Sequence, residues 1–231
     1  MMGPVDYHRD GPVAVITLDD GKVNALGPGM QQAINAALDR ADADGAGALV
    51  IAGNHRVFSG GFDLKVMNAG QVQPVLDMLR GGFELAYRLL SHPNPVVLAC
   101  TGHAIAMGSF LLCSGDHRVA APGYNIQANE TAIGMVLPYA ALTLMELRLT
   151  SSAYQQAVGL SNTFVGETAV AAGWIDELVL PEAVLPRAVE AAREFTDLSQ
   201  TAHAANKLRA RRTGLAALRA AIDDLPAEFG L

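Results

Sequence analysis

Apolar residues along this chain follow two rhythms. Residues 13–18, 48–52 and 95–100 are short runs that are almost wholly apolar and rich in Val, Ile and Leu. That is the pattern of strands buried on both faces. Between them, apolar positions recur every three or four residues over 30–43 and 72–90, which predicts amphipathic helices. Gly81-Gly82 is expected to weaken the second of these. Residues 5–9 and 13–18 read as a hairpin across Asp10-Gly11. Further strands are expected at 117–120, 124–127 and 175–179, and helices at 107–114, 142–149, 153–160 and 182–195. Strands that alternate with helices argue for an α/β fold with largely parallel pairing. From residue 196 the composition shifts to Ala, Arg and Lys, predicting one or two terminal helices outside the core or against a neighbouring subunit. No linker is rich enough in Pro, Gly or Ser to part independent domains.

Composition narrows the classes. The chain has 231 residues, is 51% hydrophobic and only 17% charged, and carries a net charge of -7. An acidic balance argues against nucleic acid or an anionic membrane as partner. Residues 89–115 contain no Asp, Glu, Lys or Arg. Pro93, Pro95, Gly102 and Gly108 interrupt that stretch, so a buried strand, a loop and a buried helix fit it better than a membrane span. Cys100 and Cys113 sit in apolar sequence and read as reduced, buried thiols. With no signal peptide visible at the start, a cytoplasmic location is expected. No His/Cys cluster has metal-binding spacing.

Three features carry chemistry. In 50–65, an apolar run ends at Ala52-Gly53, a loop holds Ser59-Gly60-Gly61, and Asp63 opens a helix. Such a turn is either an ordinary helix entry capped by Asp63 or a place where an N–H near Gly61-Phe62 meets a ligand oxygen. The loop 101–109 repeats this layout after the strand at 95–100. Two loops of this kind can give two donors to one oxyanion, each worth roughly 3 kcal/mol in a transition state. His103 reads as satisfied by backbone rather than as a base. Glu130 is the third feature, because 124–145 holds no other charged side chain. An isolated carboxyl in apolar surroundings has its pKa raised, which suits proton transfer, although a helix cap or a buried ion pair is the plainer alternative. Tyr139, after Pro138, either lines a ligand pocket or lies on the surface. Lys207, Arg209, Arg211 and Arg212 read as a solvated helical face, with a phosphate contact as the alternative.

These motifs together resemble the crotonase, or enoyl-CoA hydratase/isomerase, superfamily. FSGGFDLK (58–65) resembles its F-S/A-x-G-x-D-L/I-K signature, and ACTGHAIAMGSFLLCSGDHRVAA (99–121) its second loop and following helix. KVNAL (22–26) resembles the early segment beside coenzyme A, and the string Asn129-Glu130-Thr131-x-x-Gly134 resembles mitochondrial-type enoyl-CoA isomerases. The resemblance implies an α/β fold: a spiral of ββα turns, two roughly perpendicular sheets and C-terminal helices that build trimers or hexamers. It places a catalytic core at 1–195 and a trimerisation segment at 196–231. By position, the oxyanion donors would be the N–H groups of Phe62 and Met107, and Glu130 the acid/base. Contacts to substrate or coenzyme A would come from Lys22, Val23, Ala25, Ser59, Gly60, Gly61, Phe62, Asp63, Leu64, Gly108 and Phe110.

Phe110 stands where the family's hydratases keep a second glutamate. One carboxyl suffices to move a proton from C2 to C4 and so convert 3-enoyl-CoA to trans-2-enoyl-CoA. Hydration of 2-enoyl-CoA with an unidentified helper, or non-catalytic acyl-CoA binding, are the alternatives. Coenzyme A enters as part of the thioester; no tightly bound cofactor or metal is implied.

Overall fold

The computed structural model describes residues 3–229. The chain opens with β1 (Val5–Asp10) and β2 (Val13–Leu18), paired antiparallel with Val5 opposite Leu18 and Asp10 opposite Val13. Gly11 turns the hairpin at φ 58°, a conformation glycine reaches without steric cost. Helix α1 (Pro28–Ala43) starts on a proline and leads into β3 (Ala48–Ala52), which lies parallel to β2.

From β3 onward the chain winds as a spiral. One turn is β3, β4 (Val57–Ser59), α2 (Leu64–Met67) and α3 (Val72–Ser91). The next is β5 (Val96–Cys100), β6 (His103–Ile105) and α4 (Met107–Leu112). A third begins with β7 (His117–Ala120) and β8 (Asn125–Gln127) and continues through α5 (Tyr139–Glu146) and α6 (Ser151–Leu160). Then come β9 (Phe164–Val165), α7 (Glu167–Ala172), β10 (Glu177–Leu178), α8 (Val184–Phe195), α9 (Gln200–Asp223) and α10 (Leu225–Glu228). First strands of each turn extend a six-stranded sheet, β1-β2-β3-β5-β7-β10; second strands build a four-stranded one, β4-β6-β8-β9.

Both faces of the large sheet are covered, which is why β3 and β5 are buried at every residue. Leu49, Ile51 and Leu98 join the main core with α1, α3 and α4. Val50, Val97 and Ala99 face the other way, onto Val184, Ala188 and Ala192 of α8. The stretch 89–115 resolves into the end of α3, two strands and α4, and no described helix is long and apolar enough to cross a membrane. Cys100 and Cys113 are free, buried thiols, each pushed up to about 12 by loss of hydration.

Several expectations change. Helix α3 passes Gly81-Gly82 without a break, because these glycines let Gln31 and the Phe62 ring approach the helix backbone. Helix α5 begins at Tyr139, three residues earlier than the apolar spacing suggests, with Pro138 as its N-cap. The terminal region is one 24-residue helix plus the short α10. It belongs to the main core: Leu215, Leu218, Ile222 and Leu225 are buried there, and α9 lies along α3 and α5. The basic cluster also divides. Lys207 and Arg211 point inward, with Lys207 Nζ 2.6 Å and Arg211 Nη2 2.9 Å from the two oxygens of Asp116. Arg209 and Arg212 alone match the solvated face. Asp116 also accepts from the Val96 N–H at 2.8 Å, so it ties the terminal helix to the sheet.

Candidate active site

The two glycine-containing loops meet. Gly61 has φ 94°, and a Cβ built on it would lie 2.8 Å from Ala106 Cβ and 3.4 Å from the Met107 nitrogen. Only glycine permits this approach. The first loop is braced from beneath by Asn24, a fully buried side chain with φ 50°. Its Nδ2 donates to the carbonyls of Leu18, Val57 and Phe58, and its own carbonyl accepts from Ser59 Oγ at 2.8 Å. Gly60 N–H donates to Val23 O, and Leu26 N–H to Gly61 O, both at 2.8 Å. Residues 22–26 therefore set the shape of 59–61.

The second loop bends at Ala106, with φ 51° and ψ -127°, a strained conformation for a residue with a Cβ. Gly166 adopts the same angles at the equivalent place before α7. Ala106 is held there by its N–H to Gln127 O at 2.9 Å and by Ser109 Oγ donating to its carbonyl at 2.7 Å. The Phe62 and Met107 N–H groups flanking this junction have no acceptor among the described residues. Buried or half-buried donors without partners are rare.

Glu130 follows β8, whose end is tied to Ala106 by that same Gln127 carbonyl. The turn beyond it is pinned by Thr131 Oγ1 to Val158 O (2.7 Å) and by Ala132 N–H to Ser161 Oγ (3.0 Å). Glu130 is 8% exposed, and its Oε2 is buried without a hydrogen-bond partner. Loss of hydration pushes its carboxyl up to about 7. It is neither an ion pair nor a side-chain helix cap.

The carboxyl borders a cavity of about 210 Å³ walled by apolar side chains, among them Phe62, Leu79, Phe83, Phe110 and Leu137. Phe62 meets Phe83 edge-on at 6.0 Å between centroids. On the other side of the loops, Lys22, Val23 and Gly60 border an open hollow of about 590 Å³, with Arg56, His103 and Asn125. His103 Nδ1 accepts from the Asn125 N–H at 2.9 Å, as a backbone-satisfied histidine does. No group of three metal-ligating side chains occurs among the described residues.

Some expected site residues stand elsewhere. Ser59 is fully buried, and its hydroxyl braces the loop instead of facing a ligand. Gly108 serves packing: a Cβ there would run into the Ser59 backbone. Asp63 caps α2 by accepting from Lys65 N–H at 2.8 Å, while Leu64 lies exposed on that short helix. Ala25 sits half-buried in the bracing turn. Tyr139 is 63% exposed and borders a different surface hollow, between α5 and α9, because α5 starts at this residue and turns its ring outward.

Several cavity residues, Met67, Met135, Leu137, Glu228 and Phe229 among them, carry no signal in the sequence. Glu228 and Phe229, at the C-terminal end, close the wall of the Glu130 cavity. Glu228 Oε2 accepts from the Tyr139 N–H at 3.1 Å, and its Oε1 is buried without a partner. Burial, with Asp224 nearby, raises this carboxyl as well. No local pattern marks it, since it reaches the cavity only through the packing of α9.

A ββα spiral with two loops converging beside an isolated acid defines an acyl-thioester enzyme of the crotonase type. The family described as Enoyl-CoA hydratase/isomerase matches residues 8–223, and the chain belongs to it. It is similar to a probable enoyl-CoA hydratase from Mycobacterium tuberculosis H37Rv, at 71% identity over 99% of this chain and 97% of that one, with TM-score 0.98. A second structure of that same protein, described as an enoyl-CoA isomerase, matches at 70% identity over 99% of this chain and 100% of that one, with TM-score 0.96. A probable enoyl-CoA hydratase of Mycobacterium avium (strain 104) is 29% identical over 87% of this chain and 79% of its own length.

Proposed function

We propose that this enzyme moves the double bond of 3-enoyl-CoA thioesters to the trans-2 position. The carrying observation is Glu130, its Oε2 unpartnered in an apolar cavity that Phe62 of the first loop also lines, with Phe110 of the helix after the second loop where a second glutamate would stand. Ionised Glu130 removes a proton from C2. Charge moves onto the thioester oxygen, where the Phe62 and Met107 N–H groups hold the dienolate. The carboxylic acid then returns the proton at C4. Phe110 cannot hold a water by a strong hydrogen bond, and dry walls strengthen both N–H contacts. Lys22 and Arg56, beside the open hollow, are the cations placed to meet coenzyme A phosphates. The same reading carries a homotrimer or hexamer in the cytoplasm, with the expected catalytic core of 1–195 completed at the cavity wall by Glu228 and Phe229.

The test is turnover of a pure 3-enoyl-CoA to the conjugated 2-enoyl product, followed by absorbance. Wild type should convert it, and Glu130→Gln should not. A wild type that binds the thioester but leaves every enoyl-CoA unchanged would mean a binding protein instead.

Hydration of 2-enoyl-CoA is the second reading, and one observation favours it. The unpaired Oε1 of Glu228 lies in the wall of the same cavity as Glu130 and could hold a water that Phe110 cannot. One related protein, from Mycobacterium tuberculosis, is described both as a hydratase and as an isomerase. Rapid hydration of crotonyl-CoA that is lost in Glu228→Gln would establish this reading.

A further inference from the structure

A second apolar hollow lies directly beyond the Glu130 cavity. It measures about 230 Å³ and is walled by Val72, Val75 and Leu76 of α3, with the Gly70-Gln71 turn. Met67 and Phe229 line both spaces. These two residues, one from α2 and one just after α10, stand between the spaces. We infer that Phe229 is a plug that sets the acyl-chain length this enzyme accepts, and that the hollow behind it is the subsite a longer tail would fill. This rests on the acyl-thioester reading of the Glu130 cavity.

The plug is built to be marginal. Helix α10 has four residues, and Leu225 is its one fully buried anchor. Phe229 itself is 44% exposed, despite bordering two apolar spaces. Its position is fixed by the neighbouring Glu228, whose Oε2 accepts from the first N–H of α5. That contact satisfies an otherwise orphaned helix-start donor and keeps the turn against the cavity. The inner cavity, about 210 Å³, is bounded on this side by Met67 and Phe229. A short acyl tail fits there. A longer one must displace the Phe229 ring or leave its end in water. Displacing the ring opens the hollow along α3, whose apolar wall gives each further methylene a place to be buried.

Binding of saturated acyl-CoA esters tests this without any turnover. Dissociation constants for butanoyl-, octanoyl-, dodecanoyl- and hexadecanoyl-CoA are measured by calorimetry on wild type, Phe229→Ala and Met67→Ala. Each buried methylene strengthens binding about fourfold. In wild type the gain should run from butanoyl to octanoyl and then stop. In Phe229→Ala it should continue, so that hexadecanoyl-CoA binds at least about tenfold tighter than octanoyl-CoA. Met67→Ala trims the same partition from the other side while leaving α10 intact, and should move the break the same way. An identical length profile in all three proteins would overturn the plug, as would a wild type whose affinity keeps rising to hexadecanoyl. If no acyl-CoA bound at all, the acyl-thioester reading would fall and the plug with it.

Discussion

Asp116 and Glu130 are both acids set into this fold's interior, and they are treated in opposite ways. Asp116 is enclosed by compensation: Lys207, Arg211 and the Val96 N–H all reach its oxygens. Glu130 has no cation and no side-chain donor, only its own backbone N–H. Its Oε2 has no partner, and its nearest surroundings are aromatic and aliphatic. Because the fold supplies cations to the half-buried Asp116, the lack of a cation at Glu130 is not a general property of its acids. A compensated acid ties elements together. An uncompensated one has a proton affinity near neutrality, so it can both take and give a proton. One acid is structural and the other is available for chemistry.

Substitution at each acid should therefore fail in a different measurement. The largest expected effect is on turnover: Glu130→Gln should lower isomerisation by about 10²–10⁴-fold, the usual worth of a positioned acid/base, with acyl-CoA binding retained. Asp116→Ala should instead act on stability. It leaves Lys207, which is 3% exposed, and Arg211 without their shared anion, and breaking a buried pair in this way costs about 3–5 kcal/mol. Urea denaturation of the two variants checks the contrast. A destabilised Glu130→Gln at neutral pH, or an Asp116→Ala with unchanged midpoint, would break the distinction.

How much of this contrast could be read in the sequence depends on distance along the chain. Strands β3 and β5 and helix α3 announced themselves, because parallel burial and helical amphipathicity are local patterns. Glu130 was visible by isolation, since its flanking residues carry no charge. The four-stranded sheet was mostly invisible: β4, β6 and β9 have two or three residues each, too few for a period to register. Asp116 looked like the end of a motif, and its partner Lys207 lies 91 residues away. Lys207 and Arg211 gave the signal of a solvated basic face because composition does not say which cations turn inward. Glu228 meets Tyr139 across 89 residues, and nothing near either residue hints at the other. Ser59 was in the right loop but wrongly aimed, as a motif fixes a residue's place and not its rotamer.

The pH dependence sharpens the comparison next. With the Glu130 carboxyl at about 7 rather than its ordinary 4.5, the base form is lost well before typical carboxylates protonate. The acidic limb of kcat/KM for a 3-enoyl-CoA should fall near pH 7, dropping about tenfold for each further pH unit. A limb near 4.5 would mean that water reaches the carboxyl in the working enzyme, and the uncompensated site would not be the state that reacts.

The smallest effect is also the most specific to a bare acid. Glu130 binds its proton more tightly folded than unfolded, so between pH 4.5 and about 7 the native state carries more protons than the unfolded chain. Stability contributed by this group is complete below 4.5 and is lost as pH rises through 7. The shift from 4.5 to about 7 corresponds to a loss of about 3 kcal/mol, as an upper figure. Glutamine has the same shape and cannot ionise, so Glu130→Gln escapes that loss. Measured against wild type, the variant should gain up to about 3 kcal/mol in relative stability between pH 4 and pH 8, visible as diverging urea midpoints. Asp116→Ala instead removes the anion that Lys207 and Arg211 share. A pH-independent difference between Glu130→Gln and wild type would show that the folded protein does not tax the charge at Glu130. The two acids would then differ only in their neighbours and not in their energetics.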